Sequence, residues 1–254
     1  MPATDATSRF SDRVDNYIRY RPGYPVEILS LLRERCAFTP KATIADIGFG
    51  TGIFTRMLLE NGNPVFGIEP NQQMRQAGEK LLAEFPNFQS AAGTAEKTTL
   101  ADHSVDFVTA AQAAHWFDRA AARREFLRIL KPGGWVVLIW NERLTEGTPF
   151  LREYENLLLK HGTDYAEVRH EKTSEIIREF FAPASYELGT FRTKQTFDFA
   201  GLEGRVFSSS YIPAPGDPRS VPLRTALRDL FDRNQVNEAV AFDYDTKVFF
   251  GQLT

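Results

Sequence analysis

The chain has 254 residues, 43% of them hydrophobic and 25% charged, and a formal net charge of −3, a composition that suits one soluble α/β domain with insertions or a domain with a small cap. Slight acidity excludes any general attraction to nucleic-acid phosphates or anionic membranes. The single cysteine, Cys36, excludes an internal disulfide, no run approaches the roughly 18 apolar residues of a membrane helix, and residues 1–10 lack a signal-peptide core, so a cytoplasmic protein is expected.

In chain order, residues 10–25 are dense in tyrosine and arginine, and Pro25 then suits the first turn of a helix running to about residue 35. Ile28, Leu29, Leu32 and Cys36 fall on one side of it, which makes Cys36 a small core residue rather than a reactive thiol. Residues 1–36 therefore read as an N-terminal lid segment and helix, and 37–254 as the main domain. Strands are expected near 43–47, 64–68, 88–91, 105–110 and 135–140, with helical stretches between them, as a parallel sheet requires. Asn61-Gly62-Asn63-Pro64 should stop the helix at 53–60, and Asp118 should cap one over 119–130. Lys131-Pro132-Gly133-Gly134 then turns into the fifth strand. Beyond Thr145 the pattern predicts helices near 149–161 and 171–181, an extended stretch at 186–197, a helix-loop region over 200–237 and an aromatic strand at 242–251. Cap elements are expected within about 145–185 and 200–237, and the two late strands suit an antiparallel edge on a parallel sheet.

Residues 44–52 read Ile-Ala-Asp-Ile-Gly-Phe-Gly-Thr-Gly, a buried strand running into a turn with glycine at every second position. Glycine there permits positive φ and close approach of a ligand to the backbone. The helix that follows would aim its free amides and positive dipole end at the same spot. A dinucleotide fold needs G-x-G-x-x-G, whereas Ile53 stands where the third glycine belongs and Asp46 sits at the strand end. Glu69 ends the second strand about 20 residues further on, where a carboxylate can accept ribose hydroxyls.

With Asp46 included, the turn resembles the first motif of class I S-adenosylmethionine-dependent methyltransferases, in the manner of the small-molecule type 11 enzymes. Three later segments resemble that family in the right order: Gly93-Thr94-Ala95-Glu96 after the third strand, Gln112-Ala-Ala-His115-Trp116 after the fourth, and the passage from Leu130 to Trp140. The resemblance covers residues 10–143 and implies a doubly wound, Rossmann-like, seven-stranded sheet of order 3-2-1-4-5-7-6 with the last strand antiparallel, carrying a helical cap. It implies S-adenosyl-L-methionine as methyl donor, S-adenosyl-L-homocysteine as product, and cofactor contacts at Asp46, Gly48, Phe49, Gly50, Gly52, Glu69, Pro70, Asn71, Thr94, Ala95, Glu96, Gln112 and Arg21. Thr94 stands where the family commonly has an acid, which leaves the adenine contact with Thr94, Ala95 or Glu96. Tyr17, Tyr20, Tyr24, Trp116, Trp140, Asn141 and Arg143 are the candidates for lining an acceptor pocket. The acceptor expected is a small organic molecule methylated at oxygen, on a carboxylate or hydroxyl.

Residues 111–114 offer no Asn/Asp-Pro-Pro-aromatic run of the kind amine- and amide-directed relatives carry after the fourth strand, and Cys36 is misplaced for cytosine C5 transfer. His115 is the candidate general base, its bland alternative being a residue that packs beside Trp116 without taking a proton. Among the other histidines, His103 reads as a turn residue and His161 and His170 as helix ends, and the four together show no metal-ligand spacing. Arg119, Arg123, Arg124, Arg128 and Lys131 read as a solvated helix face rather than a nucleic-acid site, with no aromatic ladder beside them. The rivals are a nicotinamide-dependent oxidoreductase, a non-catalytic or regulatory cofactor-binding protein, and an RNA or protein methyltransferase.

Overall fold

A computed structural model describes residues 19–165, 173–214 and 216–254. Tyr17, His170 and the first two residues of the helix expected from 171 lie outside these. Strands β1 (Ile44–Ile47), β2 (Val65–Ile68), β3 (Phe88–Ala91), β4 (Val105–Ala111), β5 (Leu130–Arg143), β6 (Glu187–Phe197) and β7 (Val240–Gly251) form one sheet in the order β3-β2-β1-β4-β5-β7-β6. The first five strands pair in parallel, and β7 runs antiparallel to both β5 and β6. The expected order is therefore observed, with the reversed strand one place in from the edge.

Helices α1 (Glu27–Cys36), α2 (Ile53–Glu60), α3 (Gln72–Leu81), α4 (Arg119–Ile129), α5 (Pro149–His161), α6 (Thr173–Phe181), α7 (Phe199–Phe207) and α8 (Ser220–Asn234) cover the sheet and build the cap. Their ends follow local chemistry. Asn71, Asp118, Thr148 and Asp198 each accept a backbone N–H from the first turn of α3, α4, α5 and α7, satisfying donors a helix start leaves open. One sheet face packs Ile44, Phe107 and Ile139 against α1 and α2, while Ala45, Val108 and Leu138 meet α4 and α6 on the other. Near-continuous apolar runs in β1, β4 and β5 follow from burial on both faces. Cys36 belongs to the first of these cores, and burial pushes its thiol up to about 12.

Lys131-Pro132-Gly133-Gly134 is not a separate turn. Val105 pairs with Leu130 and Phe107 with Trp135, so the four residues bulge out of a strand that has already begun; Gly133 takes φ +77° there.

A third core joins α5, α7 and α8 to the first half of β7 through Tyr154, Leu158, Leu202, Leu227, Phe242 and Tyr244. The cap is thereby seated on β7, beyond the carboxyl ends of the parallel strands. At the exposed edge, β6 carries Arg192 and Lys194 paired to Asp245 and Asp243, charges that discourage strand addition. No helix among the described residues is long and apolar enough to cross a membrane.

Candidate functional site

The switch point of this sheet lies between β1 and β4, where neighbouring connections leave in opposite directions and open a crevice at the strand ends. Gly48, Gly50 and Gly52 stand there with φ of +69°, +59° and +86°. The tight turn places β1 against the N-terminus of α2, whose first helical residue is Ile53. A Cβ on Gly48 would come within 2.6 Å of the Ala113 Cβ, and one on Gly52 within 2.6 Å of Leu82. Gly48→Ala should thus destabilise the chain by at least the roughly 1–2 kcal/mol of a left-handed non-glycine residue, read as a lowered denaturant midpoint with unchanged slope.

Glu69 meets this turn from β2. Its Oε2 accepts from the Gly50 amide at 3.0 Å and its Oε1 from the Asn71 amide at 2.8 Å. The Asn71 side chain is in turn committed to capping α3, and Arg75 donates to the Glu69 carbonyl at 2.8 Å. Burial raises the Glu69 pKa, while the Asn71 and Gly50 amides and the Arg75 charge oppose that rise. Each oxygen holds one backbone donor and retains a lone pair for a further one. Two adjacent hydroxyls are what such a carboxylate suits, so the residues present fit a ribose.

Asp46 sits behind the turn. Its two oxygens accept from Thr55 of α2 at 2.6 Å and Thr109 of β4 at 2.8 Å, and the residue is 1% exposed. Burial pushes its carboxyl up to about 6 against the pull of both hydroxyls, and the Glu69 charge adds to the rise. In this arrangement the side chain braces β1, α2 and β4 around the glycines. Phe49 is likewise turned inward, packing on Phe88 at a centroid distance of 5.5 Å; it fills the space left by Gly67 and Gly78. Pro70 is exposed beside Glu69.

The third segment forms a tight turn closed by Thr94 and Lys97. Thr94 is exposed, Ala95 is buried, and Glu96 accepts from the Asp118 amide at 2.9 Å, tying this turn to the start of α4. Gln112 follows the last residue of β4 with φ +59°, a costly conformation for a residue with a side chain; its side-chain amide donates to the Asn141 carbonyl at 3.0 Å. His115 and Trp116 follow on a short 3-10 turn, with rings 4.8 Å apart and His115 exposed.

The N-terminal segment lies across this end of the sheet. Tyr24 packs edge-on against Phe54 of α2 at 5.1 Å, the Gly23 carbonyl accepts from Asn141 at 3.0 Å, and Arg21 donates to the Ser208 carbonyl at 3.1 Å. Tyr20 rests against Gly204 of α7, where any Cβ would collide with its ring. Asn141 also accepts from Thr246, and Arg143 pairs with Glu155 at 2.5 Å and with the Tyr165 hydroxyl at 3.0 Å. Trp140 is packed in the core edge-on to Phe249 at 6.0 Å rather than brought to the crevice, and its indole nitrogen has no partner among the described residues.

Sequence reasoning passed over Thr55 and Thr109, which hold Asp46, and Arg205, which α7 buries beside Tyr154, Tyr211 and Tyr244. The signal for Arg205 was its spacing, three residues after Leu202 and four after Gly201 on the face that packs inward. Of the basic residues of α4 and its exit, Arg119 pairs with Glu179 of α6, Arg128 with Asp102 and Glu125, and Lys131 with Asp106. No group of metal-ligating side chains occurs among the described residues.

A methyltransferase domain family matches residues 45–138. An uncharacterized methyltransferase of Mycobacterium tuberculosis is 37% identical over 158 residues, 62% of this chain and 62% of that one. An uncharacterized methyltransferase-like protein of Schizosaccharomyces pombe is 31% identical over 156 residues, 61% of this chain and 59% of the relative. The chain thus spans about three fifths of the length of these curated relatives. Among solved structures, a candidate type II methyltransferase from Anaeromyxobacter dehalogenans shares the fold at a TM-score of 0.66 and 21% identity, over 92% of this chain and 98% of that one. The glycine turn, the acid ending β2 and the strand order all agree with this likeness: residues 45–138 match the methyltransferase domain family, and the chain has the Rossmann-like fold of the class I S-adenosylmethionine-dependent methyltransferases.

Proposed function

We propose that the chain transfers a methyl group from S-adenosyl-L-methionine to an oxygen of a small organic acceptor, releasing S-adenosyl-L-homocysteine. The observation that carries this reading is Glu69, fixed on both oxygens by the Gly50 and Asn71 amides and facing three left-handed glycines. When bound, the donor supplies an already activated methyl on a sulfonium. The chain's task is then to hold two reactants in line, and well-oriented groups can gain roughly 7–11 kcal/mol in this way.

In this reading the backbone at Gly48, Gly50 and Gly52 gives close approach, and Asp46 keeps the turn in shape from behind. The turn at Thr94, Ala95 and Glu96 receives the adenine, Arg21 the cofactor carboxylate, and Gln112 and His115 stand near the methyl. Tyr20 and Tyr24 of the N-terminal segment, Trp116 of the 3-10 turn after β4, and Asn141 and Arg143 at the end of β5 border the acceptor side and exclude water. Methylation at oxygen is supported by the absence of an amine-directing motif in residues 111–114 and by a buried Cys36 whose thiol sits near 12, far from thiolate chemistry.

The test is titration calorimetry with S-adenosylhomocysteine and NADH in parallel, followed by transfer of labelled methyl from the donor to small acids and alcohols. Binding of NADH alone, or tight donor binding with no transfer to any acceptor, would reject the proposal. His115→Ala should lower kcat by less than about tenfold and leave its pH profile in place, because alignment carries the step, whereas a general base is worth about 10²- to 10⁴-fold. A hundredfold loss together with the acid limb of the profile would make His115 the base instead.

A further inference from the structure

Arg205 is a cation in search of an anion. It is 5% exposed on the inner face of α7, its Nη1 donates to Ser209 Oγ at 3.1 Å, it shares a hydrogen bond with the Tyr244 side chain, and its Nε has no partner among the described residues. No carboxylate among the described residues lies within ion-pair distance of it, although burying a guanidinium without one is costly. The ordinary escape of a buried base is closed, since arginine does not give up its proton.

The other charges around it do not supply the missing partner. Arg143, which faces Tyr244 across the β5–β7 pairing, takes Glu155 at 2.5 Å. Arg21 reaches the same region from the strap, donating to the Ser208 carbonyl. Tyr211 shows how positive the place is: burial works to raise its phenol, yet Arg205, Arg21, Arg143 and a hydrogen bond with Ser209 together hold it below its usual value. Tyr154 and Tyr244 complete the wall, both about 1% exposed. Arg143, carrying Glu155, and Arg21 thus approach Arg205 at the carboxyl end of β5, and Asn141, two residues before Arg143, is bonded to Gln112 of the donor crevice.

We infer that Arg205 anchors a carboxylate of the methyl acceptor, with Tyr211 and Tyr244 beside it, so that this protein takes organic acids. The inference rests on the methyltransferase reading for the word acceptor, but not for the anion site itself. A planar fork of donors matches a carboxylate better than any point charge does.

The experiment uses the full chain with saturating S-adenosylhomocysteine and titrates hexanoate, benzoate, phenylacetate and glutarate against their amides by calorimetry. At least one acid should bind about tenfold or more tighter than its amide, as expected for a charge-assisted pair. Arg205→Gln and Arg205→Met, which remove the charge, should erase that preference while affinity for S-adenosylhomocysteine stays within about twofold. Equal binding of acids and amides to the unaltered chain overturns the inference, and so does a preference that survives Arg205→Gln. A parallel loss of S-adenosylhomocysteine affinity in both variants would assign the anion to the cofactor's own carboxylate and also overturn it. If Arg205→Met does not fold, Arg205→Gln and the acid-amide comparison on the unaltered chain still decide. Failure of the unaltered chain to bind S-adenosylhomocysteine would sink the methyl-donor reading alone, because the acids are then titrated without it.

Discussion

Glu69→Ala should raise the dissociation constant for S-adenosylhomocysteine by roughly a hundredfold while leaving the chain folded. Both carboxylate oxygens are already oriented by the Gly50 and Asn71 amides, so a ribose meets acceptors that need no further ordering. Hydrogen bonds to a charged group contribute about 1.5–3 kcal/mol each. Two of them, discounted for the water that replaces the side chain, leave about 3 kcal/mol, which is close to two powers of ten in affinity. The fold should survive because Glu69 lies at a strand end with its carboxylate turned toward the crevice, and the two amides it releases can bond water instead. Glu69→Gln separates charge from shape, keeping one acceptor oxygen but presenting an N–H₂ to an amide that is itself a donor. Its loss should fall between those of the unaltered protein and Glu69→Ala. Calorimetry gives the affinities and thermal unfolding the fold; an unchanged dissociation constant in Glu69→Ala removes the ribose role.

The parts of this molecule that were legible in the sequence are those whose rules act over a few residues. Glycine at every second position after an apolar run, an acid ending the next strand, and Asp118 before a helical pattern each carry their meaning locally, and all three stand as expected in the fold. Lys131-Pro132-Gly133-Gly134 misled because a turn signal cannot tell a loop from a bulge: only pairing with β4 places Leu130 already in the strand. Long-range contacts were illegible for the same reason. Asp46 reads as a ligand contact from its motif, but the second of its two hydroxyl partners, Thr109, lies 63 residues away on a strand that only the sheet order brings alongside. Trp140 follows the alternation of β5 into the core, which a polar neighbour such as Asn141 could not reveal without the register against β7. Arg205 was hidden by composition, since an arginine in a helix ordinarily points to water, and its burial depends on Tyr154 and Tyr244 from two other elements.

Asp46→Asn should flatten the pH dependence of stability on the acid side of neutrality. The carboxyl rises from 3.8 in the open chain to about 6 in the fold because burial disfavours the charge more than Thr55 and Thr109 favour it. A raised pKa means the folded state binds the proton more tightly, so this group's stabilising contribution is complete below pH 3.8 and is lost as pH climbs through about 6. At 1.36 kcal/mol per unit, the loss between those limits is about 3 kcal/mol. Asparagine has the same shape and no charge: it accepts from one threonine and donates to the hydroxyl of the other, which can rotate to receive it. Unfolding free energies of the two proteins, measured in urea from pH 4 to pH 7.5, should therefore diverge in favour of the variant as pH rises. In thermal scans the gap corresponds to roughly 6–12 °C for a chain of this size. Comparing the pair removes the background from groups that titrate the other way, such as Glu125, which Arg128 and Thr98 hold down at about 2. Parallel pH curves would show that Asp46 ionises in the fold as it does in the open chain, and with that the bracing role behind the glycine turn would lose its electrostatic basis. If the curves diverge as expected, donor affinity in Asp46→Asn decides the rest. A residue that only shapes the turn should leave S-adenosylhomocysteine binding within about tenfold, whereas one that touches the ligand should cost as much as Glu69 does.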